Sequence, residues 1–264
     1  MRVRGVAKRL VFGSTPFLRG RFPYYGHMVH FPLGSITFER ACAEGIYERD
    51  TTCLILALAE PGTTYFDVGA NIGLLSVPVL AACPGVKVVS VEASPATLHF
   101  LKKTHATARR RGDWTVVGAA VGLKSGEAEF WSADVALGAH DGLRDTGRGG
   151  TKHAVRVPIR TLDEIWQQQG CPPVSVIKMD IEGAEHLAIQ GAKQIISCMS
   201  PTFVLEWYEL NLRPYGIKSD YLLELSAQFD YGIYASPSLV PVESRLMLKA
   251  LMAQTDTFVL VPRG

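Results

Sequence analysis

From position 37 onward the chain alternates short apolar runs with longer stretches of mixed apolar and polar spacing. Residues 65–69 form an apolar burst behind the breaker Glu60-Pro61-Gly62 and read as a buried strand. Further strands are predicted at 86–91, 114–121, 155–159, 174–181, 203–207 and 257–261. Helices are predicted over 37–59, 73–82, 95–111, 162–169, 184–197, 219–229 and 242–253. Pro78 would then sit in the second turn of its helix and bend it, whereas Pro95 suits a first turn. Leu248, Leu251 and Met252 share one face of the 242–253 helix, as core packing requires. Strands that alternate with helices imply a mostly parallel sheet. Five glycines within 138–153 (Gly138, Gly142, Gly147, Gly149, Gly150) mark a mobile loop, expected to act as a lid.

Composition narrows the class. Of 264 residues, 47% are hydrophobic and 20% charged, which describes a globular chain with one large core and excludes disorder. No apolar run reaches the roughly 18 residues of a spanning helix, and no secretory leader is recognisable, so a cytoplasmic protein is expected. Five widely spaced cysteines with no C-x-x-C pair argue against a disulfide framework or a zinc site, and are expected to be mostly buried thiols.

Charge is uneven. Residues 1–38 carry six of the 27 basic side chains (Arg2, Arg4, Lys8, Arg9, Arg19, Arg21) and no acidic one, leaving 21 basic against 25 acidic residues elsewhere. Residues 1–36 therefore read as a basic, aromatic arm, and 37–264 as one domain. Phe12, Phe17, Phe22, Tyr24 and Tyr25 favour an arm that packs on the domain over one that contacts nucleic acid or anionic lipid.

Candidate chemistry begins at Asp67-Val68-Gly69-Ala70-Asn71-Ile72-Gly73, a glycine-bearing turn after a strand and before a helix, where open α/β sheets bind ligands. The spacing is not the G-x-G-x-x-G of a dinucleotide site, and a carboxylate at Asp67 disfavours phosphate. It suits a ligand bearing cationic amino and sulfonium groups, as S-adenosylmethionine does. Glu92 ends the next strand, where a carboxylate can accept two ribose hydroxyls. Asp67, Gly69, Asn71, Gly73, Glu92 and Asp180 are the candidate cofactor residues.

A second signal lies in Val174 to Glu182. Alternation puts Val176, Lys178, Asp180 and Glu182 on one side of a central strand that should be apolar on both. Buried charges need partners, and Lys178 can neutralise one carboxylate. Glu185 and Glu182 can instead favour a helix start. The next strand ends in Glu206. Asp180 and Glu206 can act as base and acceptor, or jointly ligate a divalent cation. His140, on the glycine-rich loop, is an outside candidate for the base, although a solvated surface histidine is the simpler reading.

Together these residues resemble the FkbM-family methyltransferases. The resemblance rests on Phe66 to Gly73, on Val91-Glu92-Ala93-Ser94-Pro95, on Arg160-Thr161-Leu162-Asp163, and above all on Ile177-Lys178-Met179-Asp180-Ile181-Glu182-Gly183-Ala184-Glu185. It implies an α/β Rossmann-like methyltransferase fold, a mostly parallel seven-stranded sheet with helices on both faces and one antiparallel edge strand. It also implies S-adenosylmethionine as cofactor and methyl transfer to oxygen, often on sugars or other natural products. Asp180 is the first candidate base, followed by Glu182 and Glu206, with Lys178 in support. A small hydroxylated acceptor is expected, and homo-oligomerisation is left open. One alternative is an RNA or protein methyltransferase using the basic arm and Arg109-Arg110-Arg111, although the acidic body disfavours nucleic acid. Another is a nicotinamide-dependent oxidoreductase or a silent binding protein on the same fold.

Overall fold

The computed structural model describes residues 2–14, 19–133 and 140–263. Phe17 and the first two positions of the 138–153 loop lie outside the described residues. In chain order the strands are β1 (Arg21–Tyr24), β2 (His27–His30), β3 (Thr64–Val68), β4 (Lys87–Glu92), β5 (Trp114–Gly118), β6 (Ala120–Val121) and β7 (Gly126–Ala133). They continue as β8 (Lys152–Arg160), β9 (Val174–Met179), β10 (Thr202–Glu206), β11 (Tyr231–Ala235), β12 (Val240–Pro241) and β13 (Thr257–Pro262).

Eight of them form the main sheet, in the order β12-β11-β13-β10-β9-β3-β4-β5. The run from β5 to β10 is parallel. β13 is antiparallel to both of its neighbours. The fold class is the expected α/β one, but two details differ. The two-residue β12 adds an eighth strand at the edge, where Pro241 needs no ladder partner for its missing N–H. The long antiparallel strand is interior, because the chain returns after β11 through the helix Arg245–Met252 and enters between β10 and β11.

Strand alternation sends side chains to two cores. Phe66, Val68, Ile177, Met179, Phe203 and Leu205 pack against the later helices. Tyr65, Val88, Val176, Val204 and Val259 pack against the N-terminal third of the chain. Phe22, Tyr24, Val29 and Phe31 of the β1–β2 hairpin join this second core, and Phe31 stacks on Phe38 at 3.7 Å between ring centroids.

Other boundaries move for local reasons. The predicted 37–59 helix is two, Ile36–Glu44 and Arg49–Leu58, interrupted where Gly45 and Glu48 take positive φ. The helix after β3 starts only at Ser76, so Pro78 falls in its first turn, where no intrahelical N–H is needed. Pro95–Ala106 ends early, and Arg110 turns back to donate to the carbonyls of Leu80, Cys83 and Val86. The 184–197 helix breaks at Gly191, whose Cβ would meet the Gly122 carbonyl oxygen at 2.4 Å. The 114–121 run is shared between two sheets, since β6 joins β8 and β7 in a small separate one. Of the cysteines only Cys42 is buried; Cys53, Cys171 and Cys198 are exposed.

The strand order reverses between β3 and β9. The carboxyl ends of those two strands therefore flank the crevice where such sheets bind ligands.

Candidate active site

β3 stops at Val68 and the chain turns at Gly69, φ +79°, toward the helix Ser76–Ala82. A Cβ on Gly69 would stand 1.9 Å from the Asp180 carbonyl oxygen, so this glycine lets β3 and the exit of β9 touch. The Val91 carbonyl accepts the N–H groups of Gly69 and Ala70 at 2.9 and 3.0 Å. Asn71 takes a left-handed conformation, φ +51°, and its N–H donates to Glu92 Oε2 at 2.7 Å. The other Glu92 oxygen accepts from Ser94 N–H at 2.8 Å. Each carboxylate oxygen keeps a second lone pair. Burial pushes the Glu92 carboxyl up to about 7, against the pull of those two N–H groups.

Asp67 is fully buried below this loop. Trp114 Nε1–H donates to Ser90 Oγ at 2.7 Å, and an indole nitrogen can only donate. The hydroxyls of Ser90 and Ser76 lie 2.6 Å apart, and Ser76 Oγ donates to Asp67 Oδ2. Proton direction is thereby fixed along Trp114, Ser90, Ser76 and Asp67. Asp67 Oδ1 has no hydrogen bond and faces Lys178 Nζ at 4.0 Å. Asp67 thus meets a cation belonging to the protein. It also contributes to the lining of the crevice.

Lys178, 5% exposed, also lies 3.6 Å from Asp180 Oδ2. Burial alone would lower its value, but Asp180, Asp67 and Glu48 hold it above the ordinary lysine range. β9 ends at Met179, and Glu182, φ +55°, turns the chain, so strand alternation stops before Glu182. Glu182 is nevertheless buried, 3% exposed, with Oε1 3.1 Å from His140 Nδ1 and Oε2 3.3 Å from Arg148 Nη1. Arg148 also donates to Asn211 Oδ1 at 2.8 Å, and Asn211 donates to Glu206 Oε2 at 2.8 Å. His140 is therefore no solvated surface group: with Arg148 it ties the glycine-rich loop to the strand ends. Glu185 is fully buried; Oε1 accepts the Ile181 N–H at 2.8 Å, and burial pushes its carboxyl up to about 8.

Asp180, Glu182 and Glu206 each place an oxygen within 4.8 Å of the others, a donor set that suits a hard divalent cation. Both Glu182 oxygens already face His140 and Arg148, and Lys178 lies beside Asp180. Three protein cations or potential cations thus occupy the ground a metal would take. Glu206 is raised well above the ordinary glutamate value by burial, and further by Asp180, Glu182, Glu185 and Asp256.

Two clefts meet here. The first runs along Gly69–Ile72, Glu92, Ala93, Phe130, Asp141 and Leu143, with about 810 Å³ of empty space when the solvent at its mouth is included. The second, about 1170 Å³ and open, is lined by Arg40, Glu44, Glu48, Arg148, Glu206 and Asp256. Lys178 and Asp180 line both.

Sequence reading missed several of these side chains. Glu48 reaches the second cleft from a left-handed residue between two helices, which nothing in the 37–59 pattern marks. Asp141, whose carboxylate accepts Ala133 N–H at 2.7 Å and Ser132 Oγ at 2.9 Å, depends on β7, a strand not read. The alternation Glu127-Ala128-Glu129-Phe130 was its available signal.

The sequence profile of the methyltransferase FkbM domain matches residues 67–226. The chain is similar to the crystal structure of methyltransferase FkbM from Methylobacillus flagellatus KT, at 17% identity and TM-score 0.48. That match covers 85% of this chain and 54% of the other, so this chain spans about half its length. It is also similar to a TehB-like S-adenosylmethionine-dependent methyltransferase from Corynebacterium glutamicum, at 13% identity and TM-score 0.45, covering 86% and 94% of the two chains. A third likeness is to an O-methyltransferase from Bacillus cereus in complex with S-adenosylhomocysteine, at 11% identity and TM-score 0.44, covering 80% and 78%. No functionally curated protein matches the chain.

Proposed function

The chain belongs to the FkbM methyltransferase family, and from that premise we propose that it methylates a hydroxyl oxygen of a sugar or similarly polyhydroxylated small acceptor, using S-adenosylmethionine. One observation carries the reading: Lys178 and Asp180 stand in the wall shared by two adjoining clefts, one along the glycine loop and Glu92, the other charge-lined. A carboxylate at such a junction is positioned between a methyl donor on one side and an acceptor on the other.

The residues fit the cofactor. Glu92 has lone pairs left for two ribose hydroxyls, Gly69–Ile72 line the cleft beside it, and Ala93, Phe130 and Leu143 supply apolar surface for a purine. Bound S-adenosylmethionine supplies an electrophilic methyl group on a sulfonium. Asp180 accepts the acceptor's hydroxyl proton as the new oxygen–methyl bond forms. Lys178 balances the charge of Asp180 and Asp67. Glu206, raised by burial and by neighbouring acids, serves better as a protonated donor that orients the acceptor than as the base. Arg40, Glu44, Glu48 and Asp256 offer a sugar both donors and acceptors. His140 and Arg148 close the loop over Glu182. Orientation between the clefts can supply roughly 7–11 kcal/mol, and a positioned base roughly 10²- to 10⁴-fold in rate.

The free, partly exposed thiols support a reducing, cytoplasmic setting. RNA methylation is the weaker reading, since Arg110 of the 109–111 cluster is tied to three carbonyls and Asp113. The decisive experiment combines calorimetry with S-adenosylhomocysteine and transfer of labelled methyl to a panel of glycans. A base-stable methyl ether is expected. Failure to bind S-adenosylhomocysteine would reject the cofactor, and a base-labile ester or an N-methyl product would reject the hydroxyl acceptor.

A further inference from the structure

The helix Arg2–Ser14 turns Phe12 toward the domain and leaves Val6, Leu10 and Val11 exposed. It runs along the helix Ile36–Glu44 so closely that a Cβ on Gly5 would stand 2.6 Å from the Cys42 carbonyl oxygen. Gly13 faces Phe38, 3.9 Å from its ring. At 100° per residue the opposite arc carries Val6, Ala7, Leu10 and Val11. Val6 is 56% exposed and Leu10 62%. Lys8 and Arg9 border this arc on its two sides, and Arg9 pairs with Glu39 at 2.9 Å. Val6 and Leu10 share a groove with Phe31 and the exposed Leu33. An ordinary surface helix turns such a stripe inward. An apolar arc bounded by basic residues is the pattern of a helix that lies in a lipid interface.

We propose that this face docks the protein on an anionic lipid bilayer. Charge selects the occupant. Residues 1–38 carry six basic side chains and no acidic one, which complements anionic headgroups. A second copy on a two-fold axis would set the same positive charges against each other. Among the described residues no helix is long and apolar enough to cross a membrane, so the contact is peripheral.

Docking also orients the enzyme. Ile36 and Glu39 lie at the patch, while Arg40 and Glu44 of the same nine-residue helix line the open cleft. A helix of that length spans roughly 13 Å. The cleft mouth is thus held within one short helix of the headgroups, as an acceptor carried at a membrane surface requires.

The test is flotation of the full-length protein with vesicles of phosphatidylcholine alone or mixed with phosphatidylglycerol. The wild type is expected to float with the mixed vesicles, and molar salt should release it, since the Debye length falls from about 8 to about 3 Å. Val6→Ser/Leu10→Ser and Lys8→Glu should each weaken binding on the order of tenfold, with unchanged melting and S-adenosylhomocysteine affinity. Wild type that does not float, that floats equally with both vesicles, or whose variants float like it would overturn the proposal. So would a wild-type dimer that the double variant dissolves without any vesicle binding, which would assign the patch to a second copy.

Discussion

Lys178 Nζ stands 4.0 Å from Asp67 Oδ1, and both groups are buried at the base of the clefts. The pair couples β9 to β3 under the glycine loop. Lys178→Met should leave a fully buried carboxylate without a cation and cost about 3–5 kcal/mol, a fall of roughly 10 °C in melting temperature. Asp67→Asn in the same chain should recover part of that loss. Thermal unfolding of the single and double variants measures the coupling; strictly additive losses would show that the two charges do not support each other.

Asp180→Asn separates chemistry from stability, because Lys178 retains Asp67 as a partner. Single-turnover methyl transfer should fall roughly 10²- to 10⁴-fold, while S-adenosylhomocysteine affinity changes only a few-fold and melting shifts little. A near wild-type transfer rate in the folded variant would move the base to Glu206.

The Glu92 carboxyl, held up at about 7 by burial, should make ligand affinity pH-dependent. Only its ionised form accepts two ribose hydroxyls, so S-adenosylhomocysteine should bind more tightly as pH rises through about 7. Linkage has the opposite sign for the unliganded fold. A folded-state value above the unfolded one contributes stability that is full below roughly pH 4.3 and is lost as pH rises through about 7. Calorimetry from pH 6 to 8.5 should show the trend, and Glu92→Gln should flatten it.

Glu185 gives a gain-of-stability prediction. Its carboxyl is held up at about 8 by burial, and Oε2 has no hydrogen-bond partner. The wild type therefore loses stability as pH rises from roughly 4.3 through about 8. Glu185→Gln keeps an acceptor for the Ile181 N–H and cannot ionise. It should melt higher than the wild type at pH 8, with the difference shrinking toward pH 5; a constant offset across that range would contradict the burial account.

Arg148 clamps the loop by joining Glu182 to Asn211. Arg148→Ala should speed amide exchange across 140–153 and raise the acceptor KM several-fold, with a smaller effect on cofactor affinity. Exchange mass spectrometry of the variant would expose a loop held by other contacts, since protection there would then be unchanged.

What was legible in the sequence was whatever a local pattern encodes. The β3 loop, Glu92 and the 177–185 motif announced themselves because strand ends and glycine turns are short-range signals. Asp67 was found, but its pairing was not, since the ammonium facing it arrives from a residue 111 positions later. The direction of β13 was invisible because a period-two pattern reads the same both ways. Pro78 misled through its helix start: three residues of turn before Ser76 moved it from a kink to a first turn. Arg148 carried no local mark at all, and His140 only its place on the glycine-rich loop; their contacts with Glu182 are what bring both to the site.

The placement of β13 sets a timetable for synthesis. The strands on either side, β10 and β11, are synthesised first, and the strand that joins them begins about 22 residues after β11 ends. At roughly 5–20 residues per second that interval lasts on the order of one to five seconds. Until β13 docks, β10 and β11 present two unpaired strand edges around an open slot, which an extended segment of a neighbouring chain can enter. The hazard of this architecture therefore belongs to the docking of its last strand: whatever delays 257–262 prolongs the exposure.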